Sequence, residues 1–248
     1  MSLALDLHDL LKNYLRRHGV AELTVDAVDA WRLDAAFTLP GMGRFRARNV
    51  RAGDVPAFHA FGAGLGARAK DLFSPYPWHE PATLDGAFRA AIDAAVGRVD
   101  AAYFLERDGA PIGHCFLWKA GGNPHARAHG VEVPELGVAV ADAWQGRGFG
   151  GLMVRLLTAV ARSLHADAVE LTTALENESG WQTYRRAGYQ YVGLIRNPQF
   201  VDVTAVAAGA VTAAVWRDER QMILLLNDAH RDAVLHYLAV KREEALTM

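Results

Sequence analysis

With 248 residues, 51% hydrophobic and 22% charged, the chain is globular and long enough for one large core with extensions. A formal net charge of -2 excludes a protein that grips nucleic acid through a broadly basic surface. The single cysteine, Cys115, excludes an intrachain disulfide and fits a reducing compartment.

In chain order, Leu3, Leu7, Leu10, Leu11, Tyr14 and Leu15 recur at helical spacing, so residues 3–18 form an amphipathic helix ended by Gly19. Its acidic Asp6 and Asp9 interrupt any apolar leader. A second helix is predicted over Val25–Phe37 with Thr24 as N-cap. Pro40–Gly43 breaks the chain and marks a boundary. The expected division is a helical extension over 1–43, a main domain over 44–227 and a closing helix over 228–248 packed on it.

Beyond the boundary, strand and helix signals mix. Strands are predicted at 44–50, 101–107, 112–119, 135–140, 168–175, 189–195 and 221–226. Helices are predicted at 54–66, 84–96, 149–165, 179–187 and 228–246. Asp108-Gly109 is a hairpin signal. The longest uncharged apolar stretch, Val203–Trp216, contains Gly209 and two threonines and is shorter than the ~20 residues of a membrane span. The expectation is therefore a cytoplasmic protein without nucleic-acid or membrane partners. The preference for arginine over lysine, with the alanine richness, hints at a GC-rich bacterial source. Hairpins beside a strand–helix–strand unit give an α/β chain of α+β type with a mixed, mostly antiparallel sheet flanked by helices.

The informative stretch runs from Leu136 through Gln145-Gly-Arg-Gly-Phe-Gly-Gly151 into a long helix. A glycine-rich turn at a helix N-terminus leaves backbone N–H groups free, and the helix dipole favours an anion there, phosphate above all. Arg147 can add a charged contact. No Walker A sequence occurs. Gly146, Gly148 and Gly151 fit GxGxxG, with Glu170 near the acidic position of a dinucleotide fold. Against a nicotinamide-dependent oxidoreductase stand the gap between Val140 and Gly146 and the lack of a second βαβ half.

The pattern Gln145-x-x-Gly148-x-Gly150 at a strand–loop–helix junction resembles motif A of the GNAT superfamily of acetyl-CoA-dependent N-acetyltransferases. The likeness continues through the strand 169–175, Asn177, Tyr184 and Gly188-Tyr189, and covers roughly 44–227. It implies the acyl-CoA N-acyltransferase fold, with the family's strands 4 and 5, here 135–140 and 168–175, splayed apart around the pantetheine arm. It implies backbone contacts to that arm from Val138, Ala139 and Val140, with the Val140 N–H near the thioester carbonyl. It implies a pyrophosphate site at Gln145, Gly146, Arg147, Gly148, Phe149, Gly150 and Gly151. Asn177 would hydrogen-bond the pantetheine or phosphate arm, and Tyr184 would protonate the leaving thiolate. The acceptor would be a primary amine, met by direct transfer in a ternary complex. A CoA-binding module without turnover is the alternative.

The chemistry is coherent. A backbone N–H at the carbonyl oxygen stabilises the oxyanion. The acid supplies roughly 10²–10⁴-fold. Freeing a lysine-like amine of its proton at pH 7 costs about 3–5 kcal/mol, so a base matters. Glu135 is the base candidate, with Glu132 and His129 as fallbacks. Phe73, Tyr76 and Trp78 lie where this family lines the acceptor pocket. His125 and His129 are four apart but follow Gly-Gly-Asn-Pro, so no metal is expected. His114 and Cys115 are neighbours on a strand and face opposite ways, which opposes a catalytic pair and an acyl-cysteine intermediate. The first ~40 residues, the 198–216 insertion and the closing helix exceed the family core. A homodimer interface is one of their expected uses.

Overall fold

The computed structural model describes residues 2–198 and 216–247, so most of the 198–216 insertion lies outside the described residues. The elements are α1 (Leu3–Leu15), β1 (Ala21–Asp29), β2 (Arg32–Leu39), β3 (Gly43–Asn49), α2 (Val55–Ala63), α3 (Ala67–Leu72), α4 (Pro81–Val96), β4 (Ala101–Arg107), β5 (Ala110–Trp118) and α5 (Pro124–Arg127). There follow β6 (Glu135–Val140), α6 (Phe149–Ser163), β7 (Ala168–Ala174), α7 (Glu178–Arg186), β8 (Gln190–Pro198), β9 (Trp216–Leu225) and α8 (Arg231–Thr247).

The nine described strands form one sheet in the order β1-β2-β3-β4-β5-β6-β7-β9-β8. Each neighbouring pair is antiparallel except β6–β7. That exception requires a crossover, which α6 provides. The expected mixed, mostly antiparallel sheet is therefore present. A doubly wound dinucleotide fold, which needs consecutive parallel strands, is not.

Residues 25–37 are not helical. They form most of β1, the turn at Asp29–Arg32 and most of β2. The side chains buried here and just beyond are Ala27, Ala30, Leu33, Ala35, Phe37 and Leu39, the last four at a period of two along β2 that outweighs the helix propensity of the alanines. The Asp29 carboxylate accepts the Trp31 N–H at 2.9 Å and fixes the turn. The expected helical extension is thus helical only at its start, over α1 and a short 3-10 turn at Arg16–His18, and then enters the sheet through the β2–β3 pairing. The predicted 54–66 helix is α2 and ends at Ala63 with Gly64 as C-cap, and α3 follows as a separate helix beyond Gly66.

One face of the sheet packs on α1 and α6. Leu3, Leu7, Leu11 and Leu15 meet Leu152, Leu156 and Val160 over Cys115, Leu136, Leu171 and Met222. The other face carries two patches. Phe58, Phe61, Phe88 and Ile92 of α2 and α4 cover Phe104 and Phe116. Val234, Tyr237 and Leu238 of α8 cover Ala168 and Ile223. The patches meet the sheet on either side of the β6–β7 junction.

Candidate active site

Strands β6 and β7 pair at a single position, Glu135 with Glu170, and then part. The pairing end is held by charge. Lys241 of α8 places its Nζ 2.9 Å from Glu170 Oε1 and 3.3 Å from Glu135 Oε2. Glu170 also accepts from the Tyr237 hydroxyl at 3.1 Å and from Gln221 Nε2 at 3.1 Å. Burial pulls the Lys241 ammonium down, but the Glu135 and Glu170 carboxylates outweigh it and its pKa is raised. The ammonium therefore keeps its proton and bridges the two strands where the gap begins.

In the diverging half, β6 offers backbone to the gap. The Ala141 N–H donates to the Ile112 carbonyl at 2.8 Å, one step beyond the Val140–Gly113 register pair. Antiparallel pairs alternate between bonded and non-bonded, so Val138 and Val140 turn their N–H and C=O away from β5 and towards β7. Ala139, between them, is the bonded partner of His114 and uses its backbone groups there. Of the three expected backbone contributors, Ala139 therefore gives only its side chain to the wall.

The turn after β6 is shaped by its own side chains. Gln145 Nε2 donates to the Val140 carbonyl and to Asp142 Oδ1, each at 3.0 Å. Gly146 and Gly148 have φ of +72° and +92°, where other residues would be strained. Gly148 is the N-cap of α6 and supplies no side-chain cap, so the first-turn N–H groups of Phe149, Gly150 and Gly151 have no such acceptor. A Cβ on Gly150 would stand in ordinary contact 3.8 Å from Val140 Cγ2. The Phe149 ring is buried against Phe45 and Trp144 and anchors the helix start. Arg147 stacks over Trp144 at 4.9 Å and remains exposed.

These parts line one cavity of about 740 Å³ between β6, α6, α7 and α3. Its wall includes Val138, Ala139, Val140, Gln145, Gly146, Gly148, Gly150, Gly151, Asn177 and Tyr184, so most of the residues expected to hold a thioester cofactor are brought together. Asn177 caps α7, its Oδ1 accepting the Gly180 N–H at 3.0 Å. The Tyr184 phenol is raised above its ordinary pKa by burial and then by the charge of Glu219, so it is protonated at neutral pH.

Other expected residues fall elsewhere. Glu135 holds the Lys241 ammonium and is not on the cavity wall. Phe73 reaches the wall, but Tyr76 and Trp78 belong to the α2–α4 core. Trp78 Nε1 donates to the Phe73 carbonyl at 2.6 Å, and the Tyr76 hydroxyl lies 2.9 Å from His114 Nε2. The aromatic loop was legible, but not that its rings turn inward. Of the fallback bases, Glu132 pairs with Arg127, and the His129 ring stacks near Tyr237. Cys115 is buried, and burial raises its thiol. No group of three metal-ligating side chains occurs among the described residues. No described helix is long and apolar enough to cross a membrane.

Two wall residues carried no sequence signal. Tyr14 of α1 donates its hydroxyl to the Gly148 carbonyl at 2.9 Å, which binds the N-terminal helix to the glycine turn. Arg155 stacks over Tyr14 at 5.0 Å and donates to the Gly151 and Arg186 carbonyls at 3.1 and 3.0 Å, joining α6 to α7.

Comparison with known proteins agrees with this geometry. Residues 68–189 match the family model described as Acetyltransferase (GNAT) family. No curated protein matches the chain significantly. Among solved structures, yncA from Salmonella typhimurium, solved with its cofactor acetyl-CoA, is 16% identical over 74% of this chain and 95% of its own, with a TM-score of 0.55. The GNAT domain of S. lividans PAT is 18% identical over 81% of this chain and 100% of its own, with a TM-score of 0.55. Mycobacterium smegmatis RimJ, in complex with CoA-disulfide, is 18% identical over 90% of this chain and 94% of its own, with a TM-score of 0.51. At such identities the structural likeness is one of fold. The family match spans residues 68–189, which include β6, the glycine turn, α6, β7 and α7, so this segment of the chain is a GNAT acetyltransferase domain.

Proposed function

We propose that this acyltransferase moves the acetyl group of acetyl-CoA to a primary amine by direct attack within a ternary complex. The observation that carries this reading is one cavity. In it, the diverging half of β6, the uncapped start of α6, the turn that follows β7 and the Tyr184 side chain share a wall.

The residues fit such a co-substrate. The Phe149, Gly150 and Gly151 amides would take the pyrophosphate, aided by the α6 dipole, with roughly 0.3–1 kcal/mol per charge from the dipole. Gly150 leaves room for it, since a side chain there would project beside Val140. The Asn177 Oδ1 is engaged in capping α7, which leaves its Nδ2 to donate to the pantetheine arm. The Val138 backbone groups would pair with the arm as a missing strand would, and the N–H of Val140, whose own carbonyl is taken by Gln145, would face the thioester oxygen. Tyr184 donates its proton to the departing sulfur. Buried Cys115 sits in the core against α6, so no thiol of this chain intervenes.

Two measurements test the reading together: calorimetric titration with acetyl-CoA, and thiol release from it in the presence of primary amines. The reading expects saturable binding and amine-dependent thiol release. Binding without release from any amine would leave a CoA-binding module. Absence of binding would remove the reading altogether.

A further inference from the structure

The amine needs a partner that takes its charge and proton, and Glu135 is already engaged by Lys241. The other face of the gap offers a different carboxylate. Along β9, Met222 packs in the core against α6, while Ile223 packs under α8. By alternation Arg217, Glu219, Gln221 and Ile223 therefore form one stripe on the α8 face.

The stripe has a base, a middle and a mouth. Gln221 at the base is fully buried and joined to Glu170 and to Arg242, the latter donating to its Oε1 at 2.8 Å. At the mouth, Arg217 donates to the Asp71 carbonyl at 3.1 Å and pairs with Glu176 at 3.9 Å. Arg68, on the cavity wall, donates to the Glu176 carbonyl at 3.4 Å. These contacts strap α3 to β9 and to the β7–α7 turn.

Glu219 lies between. It stands in register with Ala174, the last residue of β7 before the chain turns into the cavity wall at Glu176 and Asn177. It is 9% exposed. Its Oε2 accepts from Asn197 Nδ2 at 2.7 Å, and Asn197 is its one side-chain hydrogen-bond partner among the described residues. Of the three carboxylates at this junction, Glu135 and Glu170 share Lys241, whereas Glu219 has no cation within ion-pair distance among the described residues. A carboxylate removed from water without a counter-charge is costly, so its site favours a cationic ligand. Its charge also raises the Tyr184 phenol.

We propose that Glu219 receives the ammonium group of a cationic primary alkylamine and takes its proton; the assignment rests on the acetyltransferase reading above. The ammonium gives one proton to Glu219, and the freed nitrogen forms the C–N bond to the thioester carbon. The C–S bond breaks, and the sulfur takes the Tyr184 proton. The nitrogen's second proton returns to the phenolate, and Glu219 releases its own to solvent. The products are the N-acetylamine, free CoA thiol and one proton.

The test uses the full chain, acetyl-CoA, and spermidine, cadaverine and phenethylamine as probes, with thiol release as readout. For Glu219→Gln, with the best of these amines, kcat/KM at pH 7 should fall at least 100-fold. Acetyl-CoA affinity should stay within twofold. The residual rate should climb about tenfold per pH unit towards the amine's own pKa. Glu219→Asp, which keeps the charge, should recover part of the loss and guards against a variant that merely misfolds. A Glu219→Gln enzyme within threefold of wild type overturns this assignment alone, as does a loss shared by acetyl-CoA affinity and unrelieved by high pH. A wild-type chain that releases thiol with none of the amines overturns the acetyltransferase reading and this assignment with it.

Discussion

Tyr184 illustrates how burial sets a residue's chemistry. Its phenol is raised by desolvation and by the nearby Glu219 charge, so it holds a proton through neutral pH and can deliver it to a thiolate. For Tyr184→Phe the expected result is a fall in kcat of about 10²-fold with acetyl-CoA affinity changed less than threefold. Steady-state kinetics beside titration calorimetry checks this. His114 shows the opposite use of burial. It has no exposed surface, and burial pushes its pKa down from 6.5 to about 4. The Tyr103 carbonyl at 3.1 Å from Nδ1 can only accept, so Nδ1 carries the hydrogen and Nε2 accepts from Tyr76. The folded state therefore holds this ring neutral while the unfolded chain protonates it below pH 6.5. Stability from His114 is complete above that pH and is lost as pH falls towards 4, by about 1.4 kcal/mol per unit and roughly 3 kcal/mol in all. Urea unfolding of the wild type against His114→Phe should show the difference closing across that window.

At the scale of elements, the unit β6–turn–α6 joins a sheet edge to a helix dipole. Gly150→Val should weaken acetyl-CoA binding at least tenfold. It should cost little stability, because the new side chain would fill the phosphate position and only touch Val140. Thermal unfolding with and without acetyl-CoA separates the two effects. Tyr14→Phe removes the hydroxyl bond from α1 to Gly148 and should cost about 1 kcal/mol of stability, with a smaller loss of affinity. The β6–α6–β7–α7 unit was legible in the sequence because its signals are local: a glycine turn, helical periodicity and the spacing of Asn177, Tyr184 and Gly188-Tyr189. The 25–37 segment was not, because its alanines favour helix and only the period of two in Leu33, Ala35, Phe37 and Leu39 marks a strand. Tyr14 and Glu219 were illegible for another reason. One meets its partner from 134 residues away, and the other is placed by strand register. The inward turn of Tyr76 and Trp78 likewise depends on the core waiting for them.

Across the whole molecule, the gap between β6 and β7 is held at its narrow end by the last helix. Lys241 of α8 crosses to Glu135 and Glu170, one on each strand. Its removal would leave Glu170, 1% exposed, as an uncompensated buried charge. Lys241→Met should therefore destabilise by about 3–5 kcal/mol, a drop in Tm of roughly 6–20 °C for a chain of this size. Lys241→Met combined with Glu170→Gln should recover part of that loss, since the unpaired charge is gone. Calorimetric melting of the single and double variants measures both. The molecule thus places the Lys241–Glu135–Glu170 cluster at the closed end of the gap, and the β6 backbone groups and uncapped α6 amides lie towards the open end.

That division is tested most directly by the structure of the chain crystallised with acetyl-CoA. The account predicts the pyrophosphate within hydrogen-bond distance of the Phe149, Gly150 and Gly151 amides, with the thioester lying between β6 and β7 and the Val140 N–H towards its oxygen. A complex in which these amides bind no phosphate, or in which the thioester lies outside the gap, would contradict it.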